Sequence, residues 1–98
     1  MKIVAVTACP TGIAHTYMAA EQLEKAAKKL GHEIKVETQG AMGIENELSQ
    51  AEVDAASVAI LAADIALEKR ERFDRIRKIE VAVQEAIKHP EGVLAKAG

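Results

Sequence analysis

The sequence predicts an α/β fold, an open three-layer sandwich whose four-stranded parallel sheet carries helices on both faces and a phosphate-cradling loop after the first strand. Three observations carry this expectation. Residues 3–8 and 57–63 are continuous apolar runs, as strands buried on both faces are. An amphipathic helical pattern stands between them, and the order strand, helix, strand, helix, strand with short connections calls for parallel crossovers of one hand. A chain of 98 residues holds one such succession, so residues 1–98 are expected to form a single domain.

The first strand, Ile-Val-Ala-Val-Thr-Ala, ends at the punctuation Cys9-Pro10-Thr11-Gly12. Beyond it Ala19, Leu23, Ala26, Ala27 and Leu30 recur at three- and four-residue spacing, with Glu21/Lys25 and Glu24/Lys28 paired on the other side. That helix should end at Gly31. Residues 32–37 alternate, with Ile34 and Val36 on one face, as a more exposed second strand does, and Gln39, Gly40, Ala41, Met42 and Gly43 read as a flexible loop. Ser49-Gln50-Ala51-Glu52 is a capping box with Leu48 and Val53 placed as its hydrophobic staple, which starts a short helix over roughly residues 50–56. Residues 57–63 give a third, central strand ended by Asp64. From Glu68 to Glu80 only Phe73, Ile76 and Ile79 are apolar anchors, and a short irregular helix is expected there. Residues 79–83 read as a last strand, followed by helical spacing over 84–97 in which Pro90 is placed to start a second segment.

Composition excludes several functions. Aromatic residues are 2% of the chain and Trp is absent, so there is no stacking platform for bases or flavins. Thirteen Lys and Arg against fifteen Asp and Glu, a net charge of −2, offer no excess of positive charge, and no nucleic-acid partner is expected. The one cysteine, Cys9, cannot make an intrachain disulfide or a thiol-rich zinc site and suits a reducing, cytoplasmic compartment. Val6-Thr7-Ala8-Cys9 has the look of a lipidation box, but the apolar run before it is too short for a signal sequence. The uncharged stretch Ala55–Ala63 falls far below the ~20 residues that span a bilayer, so no direct membrane insertion is expected.

Cys9, the loop at Gly40–Gly43 and Asp64 all fall at carboxyl ends of expected strands, where open α/β sheets bind ligands. Residues Pro10, Thr11, Gly12, Ile13, Ala14, His15 and Thr16 lie between a buried strand and a helix start, where backbone N–H groups and the helix dipole make an anion cradle. Gly12 lets the backbone approach an anion, and Thr11 and Thr16 offer hydroxyls to phosphoryl oxygens. A thiol beside a helix N-terminus has its thiolate favoured, which makes Cys9 a candidate nucleophile. The plainer readings are that Cys9 is a small buried hydrophobe and that Thr11-Gly12 only turns the chain. His15 either donates to the phosphoryl group or thiolate, or only helps begin the helix. His32 and His89 read as solvated loop residues. The cradle offers backbone donors and no carboxylate pair for Mg²⁺, so neither metal nor cofactor is expected.

Loops of neighbouring design fit less well. A cysteine-phosphatase cradle would place Arg where His15 stands, and that Arg clamps phosphoryl oxygens. No residue is marked as the general acid such an enzyme needs. A nucleotide-type loop would end Gly-Lys-Ser/Thr, a flavodoxin-type loop would need a flavin sandwich, and a thioredoxin-like site would have Cys where Gly12 stands. What remains is a nucleophile that takes a phosphoryl group, shields it from water and passes it on.

Residues 3–24, Ile-Val-Ala-Val-Thr-Ala-Cys-Pro-Thr-Gly-Ile-Ala-His-Thr-Tyr-Met-Ala-Ala-Glu-Gln-Leu-Glu, closely resemble the opening of the EIIB domain of fructose-type sugar phosphotransferase systems. Val36-Glu37-Thr38-Gln39-Gly40 and Ala62-Ala63-Asp64 are similar to further segments of that family. The resemblance implies a phosphotransferase in a relay: a phosphohistidine EIIA donates to the EIIB cysteine, by position Cys9, and the membrane EIIC permease brings a fructose-like sugar to it. It carries over Thr11–Thr16 as the phosphate-holding loop and Gln39, Gly40, Ala41, Met42 and Gly43 as a loop that contacts partners. The family commonly shows Arg-Phe, one residue, then Gly-Lys, whereas Arg72-Phe73-Asp74 is followed here by Arg75-Ile76. A phosphorylation-state sensor working through the same Cys9 loop is the alternative reading.

Lys69, Arg70, Arg72, Arg75, Arg77 and Lys78 gather in one stretch. Charge runs are usually solvated faces with local pairs. The competing expectation is that Asp64, Arg72 and Arg75 belong to a docking surface at the Cys9 edge that steers EIIA or EIIC.

Overall fold

A computed structural model describes residues 1–10 and 13–97. Its strands are β1 (Lys2–Ala8), β2 (Glu33–Gly40), β3 (Gly43–Glu45), β4 (Val58–Ala63) and β5 (Lys78–Val81). Its helices are α1 (Ala14–Lys29), α2 (Gln50–Ala55), α3 (Val83–Lys88) and α4 (Pro90–Ala95), with a 3-10 turn at Arg70–Phe73. The sheet is five-stranded, in the order β3-β2-β1-β4-β5. β2, β1, β4 and β5 are mutually parallel, as the sequence implies. The fifth strand corrects the expected count.

That strand is where a flexible loop was expected. Ala41 and Met42 close a tight turn, and Gly43 at φ 89° takes the left-handed conformation that lets the chain return as β3, antiparallel to β2. With β1 on one side and β3 on the other, β2 is not the exposed strand its alternation suggested, and Val36, Glu37, Thr38 and Gln39 are buried. The last strand is shorter than read, because Val83 already belongs to α3.

On one face α1, α3 and α4 bury Leu23, Ala27, Ala86, Val93 and Leu94 against Ile3, Ala5, Ile60 and Ala62. On the other, Leu48, Val53 and Phe73 cover Val4, Val6 and Leu61. The capping box at Ser49 and Glu52 forms, Leu48 and Val53 share this second cluster, and Gly31 at φ 78° follows the end of α1. Pro90 opens α4, where its missing N–H costs nothing.

Candidate functional site

β1 lies between β2 and β4, so the chain leaves it at the point where strand order reverses. The register is level there: Ala8 pairs with Gln39 on one side and Ala63 on the other, and Asp64 N donates to Ala8 O at 3.0 Å. Cys9, Gly40 and Asp64 therefore stand along one carboxyl-end edge. Cys9 is buried, with 7% of its surface exposed. Thr11 and Gly12 lie outside the described residues. Pro10, Ile13, Ala14 and His15 are exposed.

The start of α1 is without a side-chain cap: Ile13 at the N-cap offers none to the first-turn N–H groups. Thr16 is fully buried, and its Oγ1 has no hydrogen-bond partner among the described residues. Its carbonyl accepts from Thr7 Oγ1 at 2.9 Å, which ties the first turn of α1 to β1. This buried hydroxyl, with no partner among the described residues, stands in the first turn of α1.

Around this edge large apolar side chains face solvent: Ile13 before α1, Tyr17 and Met18 early in it, Met42 at the hairpin tip and Ile65 after β4. Tyr17 hydrogen-bonds Glu45, joining α1 to the hairpin, and this bond, with lesser help from burial, raises the Tyr17 phenol above its ordinary value. Ala41, Met42, Gly43 and Asp64 are exposed and Gly40 is half-buried, so the structure brings these sequence candidates to the Cys9 edge. One Asp64 oxygen accepts from Val83 N at 3.1 Å and so starts α3. Among the described residues no His, Cys, Asp and Glu side chains gather as a metal site requires.

Three candidates are not presented to solvent at this edge. Arg72 is 8% exposed and lies against Glu37, which is 0% exposed. Arg72 Nη1 and Nη2 donate to Glu37 Oε1 and Oε2 at 2.7 and 2.9 Å, and Nη1 also donates to Leu48 O at 2.7 Å. A guanidinium so engaged presents no charge to a partner, which corrects the expectation of a steering role. Gln39 is buried as well, its amide donating to Glu37 Oε2 at 2.8 Å and Glu68 O at 3.0 Å while Oε1 accepts from Glu68 N at 2.8 Å. Arg75 is exposed, but it lines a cavity of about 410 Å³ with Ser57 and Arg77, which precede β4 and β5. That is the amino-end edge, opposite Cys9, because the chain crosses the face of the sheet between Asp64 and Lys78.

Burial alone raises the Glu37 carboxyl, but hydrogen bonds from Arg72, Gln39 and Leu48 N outweigh it and hold the group below the usual carboxylate range. This network escaped the sequence reading. Its only signal was a charge and an amide, Glu37 and Gln39, in a strand whose other face is apolar, and such residues are ordinarily taken as solvated.

The family profile described as "PTS system, Lactose/Cellobiose specific IIB subunit" matches residues 4–96. The chain is 50% identical over 95 residues to the "PTS system fructose-like EIIB component 2" of Escherichia coli (strain K12), covering 97% of this chain and 90% of the relative. The chain belongs to the EIIB family, fructose type. It is also 51% identical over 96 residues to the fructose-specific EIIABC component of Bacillus subtilis (strain 168), covering 98% of this chain and 15% of that longer, fused one. Among solved structures, a domain of fruA from Bacillus subtilis superposes with a TM-score of 0.91 at 48% identity, over 99% of this chain and 92% of the other. A domain of the fructose-specific IIABC component of Borrelia burgdorferi gives 0.93 at 49%, over 98% and 91%. EIIB domains are phosphotransferases of sugar uptake that work with EIIA and EIIC components. In this EIIB chain no helix among the described residues is long and apolar enough to cross a membrane.

Proposed function

We propose that residues 1–98 act as a single phosphocysteine domain, in which Cys9 takes a phosphoryl group from the phosphohistidine of an EIIA protein and passes it to a fructose-like sugar held by an EIIC permease. The observation that carries this reading is the placement of Cys9. The sole thiol stands at the strand-order reversal, ahead of the α1 N-terminus and of a Thr16 hydroxyl that has no partner among the described residues.

The Cys9 thiolate Sγ attacks phosphorus in line, the P–N bond of the donor breaks, and its electron pair stays on the imidazole. In the second transfer a sugar hydroxyl oxygen attacks, the S–P bond breaks and Cys9 leaves as thiolate, while the hydroxyl proton passes to a base on the permease or to water. Loop N–H groups at residues 11–16 and the hydroxyls of Thr11 and Thr16 hold the phosphoryl oxygens meanwhile. His15 adds a donor at the rim. The apolar residues at this edge, Ile13, Tyr17, Met18, Met42 and Ile65, supply a surface that a protein donor covers, excluding water from the transfer. The work is cytoplasmic, at the inner face of the membrane where EIIC meets it.

Phosphoenolpyruvate with the general phosphotransfer proteins and a fructose-type EIIA should add one phosphoryl group, mapped by mass spectrometry to Cys9. Cys9→Ser should take up none while unfolding as cooperatively as the parent. Label that persists in Cys9→Ser, or that maps to His15, overturns the reading.

A further inference from the structure

The segment from Asp64 to Lys69 is held at both ends and open in the middle. At its start Asp64 N donates to Ala8 O at 3.0 Å and Asp64 Oδ1 accepts from Val83 N at 3.1 Å. At its end Gln39 meets both backbone groups of Glu68, much as a neighbouring strand would, at 3.0 and 2.8 Å. Arg72 Nε adds a bond to Lys69 O at 2.8 Å. Between these anchors Leu67 packs inward on the second core cluster, while Ile65 and Ala66 are exposed. Ile65 follows the strand end that is level with Ala8, so it lies at the same carboxyl-end edge as Cys9.

The Gln39 amide is itself oriented. Its nitrogen also donates to Glu37 Oε2, which Arg72 holds from the other side, so the oxygen is left to face Glu68 N. A buried amide with these bonds made has one orientation, and the segment it grips has one position.

We propose that Gln39 is a positioning residue for docking of the phosphoryl donor. Its amide fixes the Ile65–Ala66 wall of the Cys9 edge in the shape the donor meets, so that the donor does not have to order this wall on binding. The inference rests on the function proposed above, and it concerns encounter with the donor, not the chemistry at sulfur.

Gln39→Met keeps the volume and leaves the Arg72 bonds to Glu37 in place, but loses both bonds to Glu68 together with the one to Glu37 Oε2. The half-saturating concentration of phosphorylated EIIA should rise about tenfold while the rate at saturation stays within about twofold of the parent. The rate at which iodoacetamide alkylates Cys9 should not change, and amide exchange at Ile65–Glu68 should quicken. A lowered unfolding temperature with unchanged half-saturation overturns the proposal, since a purely structural role would give that result. Ile65→Ser, at an exposed position that folding tolerates, covers the case in which Gln39→Met does not fold: it should raise half-saturation with unaltered melting, and no change there also overturns the proposal. A parent protein that takes no label from EIIA fails the function itself, and this inference with it.

Discussion

The two faces of the sheet are held by different means. Behind α1, α3 and α4 the packing is aliphatic and rich in alanine, with Ala5, Ala19, Ala27, Ala62 and Ala86 letting the helices come close to the strands. The other face is covered by α2, the 3-10 turn and the loops that carry Leu48 and Leu67, and β2 meets them through polar side chains. Lys35 bonds Glu52 at 2.8 Å, Glu37 bonds Arg72, and Gln39 bonds Glu68. Apolar burial is strong but non-directional, whereas hydrogen bonds fix orientation. The aliphatic face therefore carries the bulk of stability and places the start of α1 after Cys9, while the polar face sets the shape of the loops beside it.

Arg72→Leu is the hardest test of this division. Removing one partner leaves Glu37 buried without its counter-charge, which should cost about 3–5 kcal/mol in urea unfolding. Replacing both, Glu37→Met with Arg72→Met, should recover most of that loss, because well-packed apolar residues often match a buried ion pair. A single-variant loss below about 1 kcal/mol, the range of exposed pairs, would mean that the polar face is solvated after all. On the aliphatic face Leu23→Ala should cost about 3 kcal/mol from lost transfer energy and the cavity it leaves. Phosphoryl transfer at saturating donor should survive Leu23→Ala wherever the protein is folded.

Acid separates the faces further. The Glu37 carboxyl is lower in the folded chain than its ordinary 4.5, so its contribution is fully present above that value and is lost as pH falls through the folded one. Glu52, held at about 2 by Lys35 and Ser49, acts in the same direction. Urea midpoints should therefore fall as pH drops from about 4.5 through about 2, and Glu37→Gln should flatten part of that fall. Leu23→Ala should shift the whole curve and leave its slope intact. An unchanged acid slope in Glu37→Gln would show that the carboxylate gains nothing from its partners.

Much of this was legible in the sequence, and the reason is local. The apolar runs of β1 and β4, the capping box at Ser49, the helix end at Gly31 and the start at Pro90 are each written within a few neighbouring residues. The position of Cys9 between the end of β1 and the start of α1 was legible for the same reason, since that strand and helix are written in neighbouring residues. The hairpin at Ala41–Met42 was not, because Gly40 and Gly43 carry no turn signal as specific as Asn-Gly and β3 is only three residues long. Arg72 was misread because a charge run gives no sign of which member faces inward. Its partner Glu37 is separated from it by 35 positions, and no periodicity links the two.

Ser49→Ala is a smaller test, confined to the polar face. It removes the side-chain acceptor at 3.1 Å from Glu52 N and should cost about 1 kcal/mol, read as a lower urea midpoint. Since Glu52 also holds Lys35, a larger loss would mean that cap and ion pair act together, which a double variant with Lys35→Met would show as non-additivity.

The smallest effect is expected from Arg75→Glu, and its smallness is informative. Arg75 is exposed at the amino-end edge, while Cys9 stands past the far end of β1. That strand has 7 residues, which at ~3.3 Å each puts the two edges about 20 Å apart. This is roughly two Debye lengths at physiological salt, so a charge reversal there is largely screened before it reaches a donor docked over Cys9. The transfer rate from phosphorylated EIIA should stay within about twofold of the parent across a salt series. Steering from the far edge would instead give a deficit that is large at low ionic strength and shrinks as salt rises. That result would place part of the donor contact on the Arg75 cavity, and the division between an edge that docks and an edge that does not would fall.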